Sequence, residues 1–184
     1  VVPVVTPMIG MKSLGIKSVT IRTRQALSGA GWKLLFDAEA LSGNVNPFIP
    51  QEEEKLIAEL KYLLGIDVPV IASCNRVSER DGHFVSVGVE LSRETTVEEV
   101  EELMKIPTLG LPSSPKLVNE IIDDSPTRQE YLWNGNGMTT TVGNIRVEGN
   151  IVRYDALSHN TVRGAAGGVI LLAEFAVQES YITK

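Results

Sequence analysis

The chain has 184 residues, 43% of them hydrophobic, and a formal net charge of −6, which suits one globular domain with a real core and is short for two. No basic stripe supplies the phosphate-neutralising surface that nucleic acid needs, so a polyanion partner is not expected. The single cysteine excludes an internal disulfide, and the most apolar stretch, Val169 to Ala173, ends at Glu174, far short of the roughly 18 to 20 residues of a bilayer span. With no leader-like segment at the start, the expected location is the cytoplasm, without a membrane partner.

The opening, Val1-Val2-Pro3-Val4-Val5, begins in apolar residues and reads as the middle of an element. Strict alternation from Val19 to Gln25 predicts a strand with Val19, Ile21, Thr23 and Gln25 on one face, so Gln25 ends an inward-looking row. Ser28 to Gly31 reads as a turn, and Gly43, Asn44, Asn46 and Pro47 mark an irregular loop up to Pro50. From Gln51 to Leu64 the apolar residues Leu56, Ile57, Leu60, Leu63 and Leu64 recur at helical spacing, with Gly65 at the C-cap position.

Two alternating runs, Val68 to Arg76 and His83 to Leu91, separated by six residues, predict a β-hairpin whose loop end carries Arg76 and His83. Thr96-x-x-Glu99 has capping-box spacing before a second helix running to Pro107. Leu117 to Ile122, Thr139 to Val147 and Ile151 to Ser158 read as strands, the last two joined as a hairpin through Glu148-Gly149-Asn150. Thr161 to about Glu179 is helical in period, apolar nearly all round and glycine-rich at its start, a helix that needs cover on several sides.

Taken singly, the polar candidates have bland readings. Arg76 suits a surface or salt-bridged arginine, and His83, beside Asp81-Gly82, suits a turn histidine as well as a base. Glu52 and Lys55, three apart in a first helical turn, suit a solvated pair near the helix N-terminus. Cys74 reads as a small buried strand residue, since a thiol without a nearby cation keeps a high pKa. His159-Asn160-Thr161 ahead of the glycines suits an anion or dinucleotide site, but helix-packing glycines explain the run equally, and it is not GxGxxG. No metal-ligand set is expected.

Their order along the chain changes the odds. Gln25 to Gly31 (QALSGAG), Gln51 to Lys55 (QEEEK), Asn75-Arg76-Val77 with Asp81-Gly82-His83, and His159 to Gly168 (HNTVRGAAGG) together resemble the aspartate-semialdehyde dehydrogenase family in its archaeal and fungal branch, from the first residues to the last. The resemblance implies NADPH-dependent reductive dephosphorylation of L-aspartyl 4-phosphate to the semialdehyde through a cysteine thioester, a step towards lysine, threonine and methionine. It makes His83 the general acid/base, a role that suits an imidazole with a pKa near neutrality. Arg76 becomes the bidentate partner of the substrate α-carboxylate, Glu52 the holder of the α-ammonium, Lys55 the holder of the phosphate, and Gln25 an orienting group beside the sulfur. Ser28, Gly29 and Asn160 resemble positions near the cofactor.

The resemblance also implies what this sequence does not contain. The nucleophilic cysteine is expected just ahead of Val1, Val1 to Gly10 resembles the continuation of its helix, and NADP is expected to be bound mainly by an amino-terminal Rossmann domain. Residues 1–184 are then a single substrate-binding and dimerisation domain, inactive alone, with 1–14 and 161–180 as helices that pack on the nucleotide domain. The implied fold is α+β, a mixed, largely antiparallel sheet with helices on one face, like the C-terminal domain of glyceraldehyde-3-phosphate dehydrogenase; the other face pairs copies into a homodimer or homotetramer. The resemblance names NADP as the cofactor, and the sequence leaves the preference between NADP and NAD open. The nearest rival is a malonyl-CoA reductase, whose substrate has no α-ammonium and gives Glu52 no purpose. A non-catalytic dimerisation module is the rival from another class.

Overall fold

The computed structural model describes residues 1–37, 39–43 and 46–182, all but the side chain of Leu41 among them; Asn44, placed by the sequence in an irregular loop, lies outside the described residues. Among the described residues six strands form one sheet: β1 (Ile16–Gln25), β2 (Val70–Arg76), β3 (His83–Leu91), β4 (Asn119–Ile121), β5 (Thr140–Glu148) and β6 (Ile151–Ser158), in the order β2-β1-β3-β6-β5-β4. β1 and β2 run parallel, as do β4 and β5, while β1/β3, β3/β6 and β5/β6 are antiparallel. This is the mixed, largely antiparallel α+β architecture expected from the sequence.

One expectation is overturned. The runs on either side of residues 77–82 are not hairpin partners, because β1 lies between them, parallel to β2 and antiparallel to β3. Alternation reveals a strand and its buried face but not its neighbour, and a six-residue loop is long enough to step across one intervening strand, roughly 10 Å. The loop is tied to the end of β1 by backbone bonds from Val77 N to Gln25 O (3.0 Å), Ala26 N to Gly82 O (3.1 Å) and Leu27 N to Glu79 O (2.8 Å).

Four longer helices are α1 (Val2–Met11), α2 (Glu52–Leu64), α3 (Val97–Met104) and α4 (Gly167–Gln178). The first three cover one face of the sheet. α1 buries Val4, Val5, Met8 and Met11 against it, with α2 contributing Leu56, Leu60 and Leu64 and α3 contributing Val100 and Met104 to the same core as Val19, Ile21, Val85, Val87 and Val89. α2 begins in three glutamates, favourable at the positive end of a helix dipole, and ends at Gly65 with φ +62°. α3 is capped as its sequence predicts, Thr96 Oγ1 accepting from Glu99 N at 3.3 Å.

α4 is different. A single π-type turn, Val162–Ala166, leads into it, and of its residues only Leu171 is buried, while Val169 and Leu172 are each 65% exposed. Its firmest tether is polar, Glu174 accepting from Ser113 N (2.9 Å) and Ser113 Oγ (2.8 Å). Of the two segments expected to meet another domain, α1 is thus occupied by its own sheet, and α4 is left with an open apolar side. Among the described residues no helix is long and apolar enough to cross a membrane.

Candidate active site

The sheet register draws one polar line along the strand ends. Gln25 pairs with Arg76 on one side and His83 on the other, and His83 pairs with Ser158. Residues directly opposite in a sheet point to the same side, and the residues two positions inward, Cys74, Thr23, Val85 and Ala156, are all buried under the helices. Arg76, Gln25, His83 and Ser158 therefore form a row on the helix-covered face, at its rim. The row continues through hydroxyls: Ser158 Oγ lies 2.7 Å from Thr140 Oγ1, which is 3.5 Å from Thr6 Oγ1 on α1.

The start of α2 closes over this row. Gln51, immediately before it, adopts φ +65°, rare for a residue with a side chain, and the turn sets Glu52 facing the sheet. Glu52 Oε2 accepts from Gln25 Nε2 at 3.3 Å, and its Oε1 lies 3.8 Å from Lys55 Nζ. Arg76 Nη1 donates to Ala26 O at 2.8 Å. Burial lowers the Arg76 pKa, opposed by the nearby Glu52 carboxylate.

The cofactor-side candidates gather at the same end. Asn160 Oδ1 accepts from Gly82 N at 2.7 Å and its Nδ2 donates to Ser28 Oγ at 2.8 Å. A Cβ built on Gly29 would stand 3.0 Å from Arg76 Nη1, so the absence of a side chain lets this turn back the guanidinium closely. All eight residues singled out in the sequence lie around one end of the sheet, yet Arg76 and His83 open onto different hollows. Arg76 lines one of about 280 Å³ with Leu27, Leu34, Asp37 and Asn46. His83 lines another of about 270 Å³ with Lys55, Glu59, Ser158, His159 and Asn160.

His83 does not have the near-neutral pKa expected from the sequence. Its Nε2 is sealed and unpartnered, and burial, helped by the Arg76 guanidinium, pushes its pKa well below the usual histidine value. His159, 2% exposed and edge-on to Trp133 with ring centroids 4.4 Å apart, also has an unpartnered Nε2 and a pKa lowered chiefly by burial. These are the chain's two histidines. His83 is neutral in the folded state at pH values where an unfolded imidazole, near 6.5, takes up a proton, so its contribution to stability is full above that value and is lost progressively as pH falls below it; His159 acts in the same direction. Urea unfolding between pH 7 and 5 should show stability falling with a slope approaching about 1.4 kcal/mol per pH unit from His83; His83→Gln should flatten it. A stability independent of pH over this window would contradict the buried neutral imidazoles, because ordinary carboxylates stay ionised there in both states.

Cys74 is fully buried, its backbone N–H donates to Glu53 Oε1 at 3.0 Å, and burial raises its thiol pKa, the opposite of an activated nucleophile. The sequence offers no role for Ser158 or Thr140, names His159 only as part of the His159-Asn160-Thr161 anion or dinucleotide site, and marks Asn46, whose backbone pairs with Arg76 in both directions (2.9 and 2.8 Å), only as loop. The available signal was the end of the Ile151 to Ser158 alternation, but without the strand order it pointed nowhere.

The semialdehyde dehydrogenase dimerisation-domain family matches residues 6–163. The chain belongs to that family. It is 41% identical to the aspartate-semialdehyde dehydrogenase of Archaeoglobus fulgidus over 94% of its length, and 30% identical to the malonyl-CoA reductase (NADP) of Metallosphaera sedula over 92%. The crystal structure of the Candida albicans aspartate-semialdehyde dehydrogenase with NADP superposes with a TM-score of 0.79 at 30% identity, covering 98% of this chain and 56% of that one. The chain spans about half the length of these curated relatives, 54% and 53%.

Proposed function

We propose that the chain is the substrate-binding, acid/base and dimerisation domain of an aspartate-semialdehyde dehydrogenase, working with a nucleophilic cysteine and a nucleotide-binding domain that lie elsewhere in the polypeptide. The observation that carries this reading is the row Arg76, Gln25, His83 under the Glu52 and Lys55 turn. It sets a guanidinium, an amide, an imidazole, a carboxylate and an ammonium around one end of a rigid sheet, which matches a substrate with a carboxylate, an ammonium and a phosphate.

In this reading Arg76 holds the α-carboxylate, Glu52 the α-ammonium, Lys55 the phosphate, and Gln25 the reacting carbonyl. Neutral His83 accepts the thiol proton and returns it to the developing oxygen. A thiolate alongside would raise its depressed pKa towards the range useful for acid/base work. After its two bonds, Asn160 keeps one N–H and one acceptor lone pair, enough for a carboxamide-sized group beside Ser28 and Gly29. The fit is to the nicotinamide end of NADP, which when bound supplies the hydride. The bare sheet face, with Thr20, Arg22, Ser86, Glu90, Arg153 and Asp155, is the surface we assign to pairing with a second copy.

Turnover of aspartate semialdehyde with phosphate and NADP by the complete polypeptide tests the reading, and this chain alone should give none, its one thiol being buried. Glu52→Gln should raise KM for aspartate semialdehyde by about tenfold or more, from loss of one charge-assisted contact. Malonyl-CoA reduction in place of that activity, indifferent to Glu52→Gln, would establish the rival paralogue.

A further inference from the structure

Asn160 sits between the end of β6 and the turn that leads into α4, and both ends of its amide are engaged inside the domain. Oδ1 takes the N–H of Gly82, the residue directly before His83. Gly82 has φ +113°, a conformation other residues rarely adopt, so the orientation of this one peptide sets how the chain enters β3. Nδ2 holds Ser28, whose neighbour Gly29 abuts Arg76 Nη1. Backbone bonds from Ala26 N to Gly82 O and from Ser28 N to Arg80 O already join the two loops, and Arg128 Nε fixes Asp81 O at 2.9 Å. What Asn160 adds is an anchor from the C-terminal segment to both loops at once, beside an imidazole that has no hydrogen bond of its own at Nε2.

We propose that Asn160 is a positioning residue: by clamping Gly82 and Ser28 it fixes the His83 imidazole relative to Arg76, in addition to any contact it makes with the cofactor. The clamp consists of two short hydrogen bonds made within this chain, so its effect is measurable on the chain itself. The roles of His83 and Arg76 rest on the functional reading above; the clamp itself does not.

The test uses the 184-residue chain labelled in its two imidazoles, whose resonances His159→Gln assigns. In Asn160→Ala the Gly82 amide should exchange about tenfold faster or more, and the His83 titration should move up by at least about half a pH unit as water reaches the ring. Ser28→Ala, which removes one bond of the clamp, should give a smaller shift in the same direction and keeps the question open to measurement if Asn160→Ala is poorly folded. In the complete polypeptide, Asn160→Ala should lower kcat by about tenfold and move its pH profile, with the KM for NADP changed less than about twofold. An unmoved His83 titration and unchanged Gly82 exchange, together with a raised KM for NADP, would overturn the clamp and leave Asn160 a cofactor contact only. If the polypeptide lacks the dehydrogenase activity altogether, the functional reading fails, and the titration still decides the clamp.

Discussion

Arg76→Lys in the complete polypeptide is expected to lower kcat/KM for aspartate semialdehyde by about a hundredfold while leaving the fold intact. The guanidinium carries out two tasks with one planar group. Nη1 is held by Ala26 O at 2.8 Å, and the side chain lines the 280 Å³ hollow. A lysine has one nitrogen on a flexible stem; to reach a ligand it must release Ala26 O, and it cannot present two parallel donors to a carboxylate. Loss of a charge-assisted bidentate contact is worth about 2 to 3 kcal/mol, which is the hundredfold. The fold should survive because Arg76 ends its strand, and its backbone bonds to Asn46 and its pairing with Gln25 do not involve the side chain. Steady-state kinetics and a urea unfolding curve on the same variant check both halves; an unchanged kcat/KM would remove Arg76 from the site.

The strands and helices were legible because their local signals agree with their burial. Val85, Val87, Val89 and Leu91 alternate and are buried, and Leu56, Leu60 and Leu64 recur at helical spacing above Gly65. Partnership between strands was not legible. The two runs flanking residues 77–82 looked like a hairpin, and only the register showed β1 between them. The error hid the most useful feature of the site: Gln25, read merely as the end of an inward row, is the central member that joins Arg76 to His83. Ser158 and Thr140 escaped for a related reason, since a hydroxyl at a strand end is common and acquires meaning only when its cross-strand neighbour is known. The titration of His83 escaped as well, because its environment is made by α1 and the chain's first residues, more than 70 positions away.

α4 is expected to be the least protected helix of the isolated chain and to seek a second surface. Its apolar residues surround the helix instead of forming a stripe, and the domain buries only Leu171, leaving Val169, Ile170, Leu172 and Val177 between 40% and 65% exposed. Covering even about 300 Å² of such surface is worth about 7 kcal/mol at 25 cal/mol per Å², comparable with the whole stability of a domain, and patches of this kind mark association sites. If the proposed reading holds, a nucleotide-binding domain is the cover for this side of α4, with self-association as the substitute in the isolated chain. Hydrogen exchange should therefore be fast from Gly167 to Gln178 in dilute solution, and slow as chain concentration rises or as the nucleotide domain is added. The double substitution Val169→Asp with Leu172→Asp should abolish that slowing without altering protection in β1 and β3, whose core contains no residue of α4. Strong, concentration-independent protection of α4 in a monomer would show that the helix closes onto its own sheet, and the nucleotide domain would then have to dock elsewhere.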